Sequence, residues 1–413
     1  MNKPIATGLL CLHLGVALLA TAQVNPKTTP TPNTNSNAAP PPVSTLINVP
    51  DPAIAKPAEK IADQGNEKPA EKNSTPPEPA KPSPHVALIL PLTSKTFGNV
   101  ADAIKQGFMA AATAGGKESI PYRIYARDDE AAAMGSECRR AVRDGAIAII
   151  GGVTRDGSNV LLKEAGLVPT LALNAPTATE FPDRFFYITL NLDAEAKSVA
   201  REAALTGSLK AAVMVTNTAL AKRIQDSFEK EWIRLGGTIV ERIVFTGDIA
   251  ESGKLQKTLE KVQEKLDVDV IFMAADVKSA RMARPFIPTG MAVFATSHTL
   301  DARADAVENL DLDSVRFLEM PWFVEKDHPA VMTYAKPQTP LSIDTERLYA
   351  LGIDAWRLMQ LILKTDQPKN IPPLDGVTGK LTLDGAQFVR TLTAVEMRDG
   401  IPELLRPNNK RSE

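Results

Sequence analysis

Short apolar runs that alternate with amphipathic stretches constrain the fold of this chain more than any other feature. Each run ends in glycine or in small polar residues, and a helical pattern follows it. The runs, which begin at Val86, are VALILPL, IAIIGG, PTLALN, AAVMVTN, VDVIFMAAD and AVFATS. Strand and helix patterns that alternate in this way are typical of parallel sheets covered by helices. The sequence therefore predicts an α/β protein.

Helical periodicity marks the segments that we expect to cover the sheets. The stretch from Asn99 to Thr113 has one apolar face, and a second amphipathic stretch from Ala219 to Leu235 ends at Gly236-Gly237. The stretch from Glu346 to Lys364 is apolar on two sides. That pattern predicts a helix buried on most of its circumference.

The α/β pattern runs twice, once up to Asn174 and again from Lys210. Roughly 310 residues are too many for one ordinary open sheet, so we expect two lobes joined by a hinge. The predicted domain comprises residues 84–400, with a tail at 401–413. Lobe 1 is predicted to contain residues 84–192 and about 290–365, and lobe 2 to contain residues 193–289 and the C-terminal strands. The segments GVTGKLTLDG and FVRTLTAVEMRDG predict those strands, which would be short, antiparallel and placed at a sheet edge or the hinge.

The first 22 residues have the features of an export signal. A basic start at Lys3 and an apolar run from Ile5 to Leu19 precede the small residues Ala20-Thr21-Ala22. A transmembrane anchor is the alternative, but the run is shorter than the roughly 20 residues that cross a bilayer. Cys11 follows Leu9-Leu10 rather than a small residue, so a lipid anchor is not expected. We predict a periplasmic protein that contacts membranes only indirectly.

Residues 23–83 have the composition of a spacer. They are rich in proline and poor in apolar side chains, with an imperfect KPAEK repeat at Lys56 and Lys68. Such a segment cannot bury enough apolar surface to offset the entropy of ordering. We therefore predict a disordered tether that contains extended polyproline II patches.

Charge and residue usage exclude several functions. The net charge is −2 without a long basic cluster, so neither nucleic acid nor an anionic membrane surface is an expected partner. After signal cleavage Cys138 is the only cysteine, and His85, His298 and His328 are not spaced as metal ligands. Neither HExxH nor GxSxG occurs. The sequence predicts a protein without enzymatic activity, metal or cofactor.

Small polar residues follow most of the predicted strands. Ligands of doubly wound sheets bind outside the carboxyl ends of the strands, so these residues would line a cleft between the lobes. The candidates for ligand contact are Thr93, Ser94, Thr154, Asn174, Asn217, Asp276 and Ser297. The alternative is structural, because the same residue types cap helices and form turns at these positions.

Five segments of the chain resemble the LppC family of penicillin-binding protein activators, in the family's order. They are PLTSKTFGNVADAIKQGFMAA, PTLALN, DLDSVRFLEMPW, RLYALGIDAWRL and GVTGKLTLDG. The resemblance implies a type I periplasmic binding protein-like fold, similar to amino-acid receptors, and a regulator that stimulates a class A penicillin-binding protein. Fuller members of the family have an N-terminal helical repeat domain and a lipidated cysteine, where this chain has the proline-rich segment.

Two functional hypotheses follow. In the first, the two-lobed body docks on a class A penicillin-binding protein; Trp322 and Trp356 are candidate partner contacts, with core packing as their alternative use. In the second, the protein is a periplasmic solute receptor whose lobes close around a small polar ligand such as an amino acid or a cell-wall fragment.

Overall fold

The computed structural model describes residues 82–116, 120–128, 131–265, 267–367 and 370–405 of the chain. The predicted export signal and almost all of the predicted tether lie outside these residues. The predicted tail lies partly inside them, and its residues Ile401–Leu404 form a strand that pairs with the strand before it. Among the described residues, none of the helices combines the length and apolarity needed to cross a membrane.

Fifteen strands form two mixed sheets within the described residues. The first five are β1 His85–Leu90, β2 Tyr122–Ala126, β3 Ala146–Gly151, β4 Thr170–Ala172 and β5 Phe185–Ile188. The next five are β6 Lys210–Thr216, β7 Thr238–Phe245, β8 Val270–Ala274, β9 Ala292–Ala295 and β10 Val315–Glu319. The last five are β11 Leu374–Gly376, β12 Gly379–Asp384, β13 Gln387–Thr391, β14 Thr393–Arg398 and β15 Ile401–Leu404.

Eleven helices accompany the strands in the part of the chain that the structure describes. The first six are α1 Gly98–Ala114, α2 Ala131–Arg143, α3 Arg155–Glu164, α4 Leu192–Ala204, α5 Ala219–Arg234 and α6 Ser252–Lys265. The others are α7 Val277–Ala283, α8 Ala306–Asn309, α9 Pro321–Val324, α10 Pro329–Thr333 and α11 Ile343–Lys364. The three helices predicted from periodicity correspond to α1, α5 and α11.

The first sheet has the order β11-β12-β13-β5-β4-β3-β1-β2, and the second has the order β15-β14-β10-β9-β8-β6-β7. Strands β1 to β5 are mutually parallel, as are β6 to β10. The C-terminal strands add antiparallel pairs to both sheets, which confirms their predicted character. The chain passes between the sheets three times, after β5, after β10 and after β13.

The predicted division into lobes is wrong for two regions. Strands β9 and β10 belong to the second sheet, because each pairs in parallel with the strand that precedes it, so residues 290–319 do not join lobe 1. Of the C-terminal strands, β11 to β13 extend the first sheet, and only β14 and β15 extend the second. Neighbouring strands that follow one another in sequence tend to pair, which explains the placement of β9 and β10.

Helices cover both faces of each sheet. Val86, Leu88 and Leu90 of β1 are buried in the core that contains α1 and α11, whereas Ala87 and Ile89 point to the core that contains α2 and α3. The second sheet is covered by α4 and α5 on one face and by α6 and α7 on the other. Burial on both faces is the reason why the parallel strands read as continuous apolar runs.

Helices α1 and α11 cross in direct backbone contact. A Cβ atom on Gly107 would lie 1.8 Å from the carbonyl oxygen of Tyr349, and one on Gly352 would lie 2.1 Å from the carbonyl oxygen of Ile104. Only residues without a side chain fit at these two points. The crossing holds α11 against the first sheet and thereby fixes the start of α11 beside the connections between the sheets.

Candidate functional site

Two of the predicted cleft residues accept hydrogen bonds from backbone N–H groups close to them in sequence. The Ser94 hydroxyl accepts hydrogen bonds from the N–H groups of Thr96 and Phe97, at 3.1 and 3.0 Å. Thr154 caps α3, because its hydroxyl accepts from the Gly157 N–H at 3.0 Å. These hydrogen bonds engage side chains at the carboxyl ends of β1 and β3. They match the structural alternative, in which such residues cap helices and form turns.

Asp276 and Asn174 are also held by neighbours. Asp276 caps α7 by accepting from the N–H and the hydroxyl of Ser279, at 3.0 and 2.9 Å. Asn174 donates to the Val153 carbonyl at 3.0 Å and accepts from the Ala175 N–H at 2.8 Å, so it joins the loops after β3 and β4. Both side chains shape the loops at the sheet edge.

Thr93 and Asn217 differ from the other candidates. Both are exposed at the carboxyl ends of β1 and β6. No hydrogen bond of either side chain is found within the part of the chain that the structure describes. Of the seven candidates, these two are the ones whose side chains are available to a ligand in this conformation.

Ser297 is buried in a group of charged side chains between the sheets. We call this group the hinge cluster; its members are Glu195, Ser297, Glu319, Arg347 and Arg390. The Ser297 hydroxyl donates to Glu195 Oε2 at 3.0 Å, and its N–H donates to Glu195 Oε1. Arg347 Nη2 donates to Glu319 Oε2 at 2.7 Å and to the Ser297 carbonyl at 3.2 Å. Arg347 of α11 thus binds two residues that belong to the second sheet's body.

The hinge cluster surrounds a small cavity where the chain passes between the sheets. The cavity has a volume of about 20 Å³, which is room for roughly one water molecule. Leu190 and Leu192 from the first connection, Met320 from the second and Leu392 from the third all line it. Arg347 Nε, which also borders the cavity, has no hydrogen-bond partner within the described residues. The site is a set of polar contacts at the connections between the sheets rather than an open ligand pocket.

Burial and mutual charge set the ionisation of the hinge cluster. Desolvation, followed by the nearby Glu319 carboxylate, raises the pKa of Glu195 to about 7. Burial alone would lower the pKa of Arg347, but Glu319 reverses this effect and raises it. Burial lowers the pKa of Arg390, which donates to the Thr189 carbonyl at 3.2 Å. The hinge cluster has two acids and two arginines, so its net charge is zero when all four side chains are charged.

The two tryptophans that the sequence offered as candidate partner contacts are buried in this fold. Trp322 is 2% exposed and Trp356 is 3% exposed. Trp322 Nε1 donates to Glu346 Oε1 at 2.9 Å, and the ring lies 3.5 Å from Lys336 Nζ. Trp356 packs edge-on against Phe108 with ring centroids 4.9 Å apart. Both side chains serve the core, which was their alternative use.

Sequence reasoning found Ser297 but missed the four charged members of the hinge cluster. A signal was present, because Glu319 lies in the apolar segment VRFLEMPW and Arg347 lies in the second turn of a helix that is buried on most of its circumference. A charge at such a position is seldom left without a partner. No cluster of His, Cys, Asp and Glu suited to a metal occurs among the described residues.

Two α/β sheets joined by three connections define the class of periplasmic binding protein-like folds. Solved structures agree: full-length LpoA from Haemophilus influenzae matches with a TM-score of 0.65 and 22% identity, over 79% of this chain and 60% of that one. A putative branched-chain amino acid ABC transporter from Chromobacterium violaceum matches with a TM-score of 0.65 and 31% identity, over 76% of this chain and all of that one.

The family model described as LppC putative lipoprotein matches residues 79–400, and the chain belongs to this family. Curated relatives are named penicillin-binding protein activator LpoA. The relative from Klebsiella pneumoniae is 26% identical over 59% of this chain and 39% of its own length. The one from Escherichia coli K12 is 24% identical over 64% of this chain and 44% of its own length. The chain thus spans less than half the length of these two relatives.

Proposed function

We propose that this protein is a non-enzymatic periplasmic regulator that binds a class A penicillin-binding protein and activates it in peptidoglycan synthesis. The observation that carries the proposal is the family match, because residues 79–400 include β1 to β14 and all three connections between the sheets. The match therefore covers nearly the whole folded body rather than one shared motif. Relatives named as activators of penicillin-binding proteins supply the kind of partner.

The arrangement of the site supports a regulator more than an enzyme. The hydrogen bonds of the hinge cluster join groups of the protein to one another, and its cavity holds roughly one water molecule. Four of the strand-end candidates are used as caps and loop ties. A partner would then be recognised by the outer surface, and the export signal predicted for residues 1–22 would bring the protein to the periplasm.

The test is a reconstitution with the full chain and the class A penicillin-binding proteins of the same organism. We expect the chain to bind at least one of them in a direct binding assay and to raise the rate of glycan polymerisation or of peptide cross-linking. A class B transpeptidase, which lacks the polymerase domain, is the matched control and should not respond. Absence of both binding and a rate change with every class A enzyme would contradict the proposal.

A solute receptor is the second candidate function. It is favoured by the Chromobacterium violaceum structure, whose whole length is matched at 31% identity and whose name is that of an amino-acid transport protein. Thr93 and Asn217, on the two sheets, would be the free polar contacts. The test is the melting temperature of the full chain with amino acids and with muropeptides. A concentration-dependent rise that Asn217→Ala abolishes would support a receptor, and unchanged melting temperatures would count against it.

A further inference from the structure

The second sheet ends in a long strand. β7 has eight residues and pairs with β6 on its inner side. The other strands at sheet ends, β2, β11 and β15, have five, three and four residues. Natural sheets keep unpaired edges short or interrupted, because an open edge can pair with another chain. β7 is the longest of these end strands, and a register shift opposite Ala211 and Ala212 leaves residues 241–245, which border the groove described next, as its regular open stretch.

A groove runs between β7 and α6. Its wider part has a volume of about 470 Å³ and is lined by Glu241 of β7 and by Lys254, Lys257, Thr258 and Lys261 of α6. A narrower part of about 40 Å³ continues to the carboxyl end of β7 and shares Lys254 and Thr258 with the wider part. The two parts therefore lie next to each other along β7.

The groove carries unbalanced positive charge. Lys254, Lys257 and Lys261 recur at helical spacing on one side of α6, and all three are exposed. Within the described residues none of them takes part in an ion pair. Three lysines against Glu241 leave two positive charges in the wider part, and Glu251 in the narrower part reduces the excess over the whole groove to one. The opposite face of β7 is different, because Arg242 there is held by Glu229 through bonds of 2.9 and 2.7 Å.

We propose that this groove is a docking site for an extended acidic segment of a partner protein, which pairs with β7 as an additional strand. Main-chain hydrogen bonds to the open edge would supply affinity, and carboxylates facing α6 would supply selectivity. Side chains on one face of a strand repeat every ~6.6 Å, while Lys254 and Lys261 are separated by about 10.5 Å along the helix. Acidic residues at alternating positions therefore reach these flexible lysines.

The proposal is tested on the full chain without any penicillin-binding protein, so its outcome is independent of the proposed function. The probe is a fluorescein-labelled decapeptide of alternating glutamate and threonine, and its fluorescence anisotropy is measured at low ionic strength. We expect saturable binding that K254E/K257E/K261E weakens by about tenfold or more. The matched control is K163E/K222E/K230E, which reverses three exposed lysines outside the groove and should keep the affinity within about twofold.

Strand pairing has its own readout. Amide hydrogen exchange of the wild-type chain should slow in β7 when the decapeptide is bound, and a decapeptide N-methylated at alternate residues should not bind. Circular dichroism establishes that both triple variants are folded. The proposal is overturned by absent saturable binding, by equal losses in the two triple variants, or by equal binding of the N-methylated decapeptide. Displacement by dextran sulfate without protection of β7 would identify a general polyanion surface and would also overturn it.

Discussion

Asp354 of α11 and Thr378, in the turn between β11 and β12, are joined by two hydrogen bonds. Asp354 Oδ2 accepts from the Thr378 N–H at 2.8 Å and from its hydroxyl at 2.7 Å. Asp354 Oδ1 accepts from the Val377 N–H at 3.0 Å. Asp354 is fully buried, so this contact ties the longest helix of the described chain to a turn that comes after it in sequence. The segments RLYALGIDAWRL and GVTGKLTLDG are thus coupled in space.

Replacing Asp354 by alanine should destabilise the protein strongly. The change leaves the Val377 and Thr378 N–H groups buried without acceptors and removes the carboxylate partner of Arg357, whose Nη1 lies 3.1 Å from Asp354 Oδ1. We expect the free energy of unfolding to fall by about 3–5 kcal/mol, as for other broken buried pairs. Thr378→Val removes only the hydroxyl bond and should cost about 1 kcal/mol. Urea denaturation measures both, and equal losses would contradict this account.

The α1–α11 crossing predicts an effect of added methyl groups. In Gly352→Ala the new Cβ would meet the Ile104 carbonyl and the Phe108 N–H, at 2.1 and 2.8 Å, so the helices must separate. We expect a loss of about 1–3 kcal/mol or more in unfolding free energy. Gly253→Ala in α6 is the matched control, because nothing lies within 4 Å of its Cβ position. The control should be neutral or stabilising by up to ~1 kcal/mol, and a loss as large as that of Gly352→Ala would refute the steric explanation.

Most of the fold could be predicted from the sequence, because buried parallel strands leave a signal that needs no long-range information. The strands β1, β3, β6 and β8 are apolar over most of their length, and the structure buries nearly all of their residues. β7 was missed because an edge strand mixes polar and apolar residues, as TIVERIVF does. The sheet to which β9, β10 and the C-terminal strands belong depends on pairing between distant segments, which no local pattern encodes.

The candidate site was less predictable. Strand-end hydroxyls and carboxylates are needed both by helix caps and by ligands, so the residue type alone could not separate the two uses. Ser297 was selected for its place after β9, yet its partners Glu195 and Arg347 come from helices far away in sequence. Charged residues inside apolar segments were the one local sign that a buried ionic group would form.

Substitution of Trp322, whose ring contacts Glu346, distinguishes a role in core packing from a role in partner binding. Trp322→Phe keeps the aromatic packing but removes the bond from Nε1 to Glu346, so the unfolding free energy should fall by about 1–2 kcal/mol. Trp356→Phe, which breaks no hydrogen bond among the described residues, should be milder. Affinity for a penicillin-binding protein should stay unchanged in both variants when they are folded. A specific loss of affinity without a loss of stability would return these tryptophans to the partner surface.

The buried carboxyl of Glu195 makes stability depend on pH. Its pKa is raised from 4.5 to about 7, so between these values the folded state binds more protons than the unfolded state. Folding is therefore favoured on the acidic side and weakened as the pH rises through about 7. At about 1.4 kcal/mol per pKa unit, ionisation of Glu195 costs up to roughly 3 kcal/mol above this window.

Glu195→Gln should remove this cost, since the uncharged glutamine can accept from the Ser297 N–H through its oxygen and donate from its NH2 group to the Ser297 hydroxyl oxygen. We expect the variant to be more stable than the wild type at pH ~8 and similar near pH ~5. Glu231→Gln is a control of opposite sign, because Arg234 and Arg201 lower the pKa of Glu231 to about 2. Removal of the Glu231 carboxylate should lower the free energy of unfolding at neutral pH and reduce its decrease at acidic pH. Urea unfolding at several pH values gives the free energy of unfolding of both variants. A Glu195→Gln variant with the wild-type pH profile would contradict this prediction, because it would show that the neighbouring arginines already compensate the charge of Glu195.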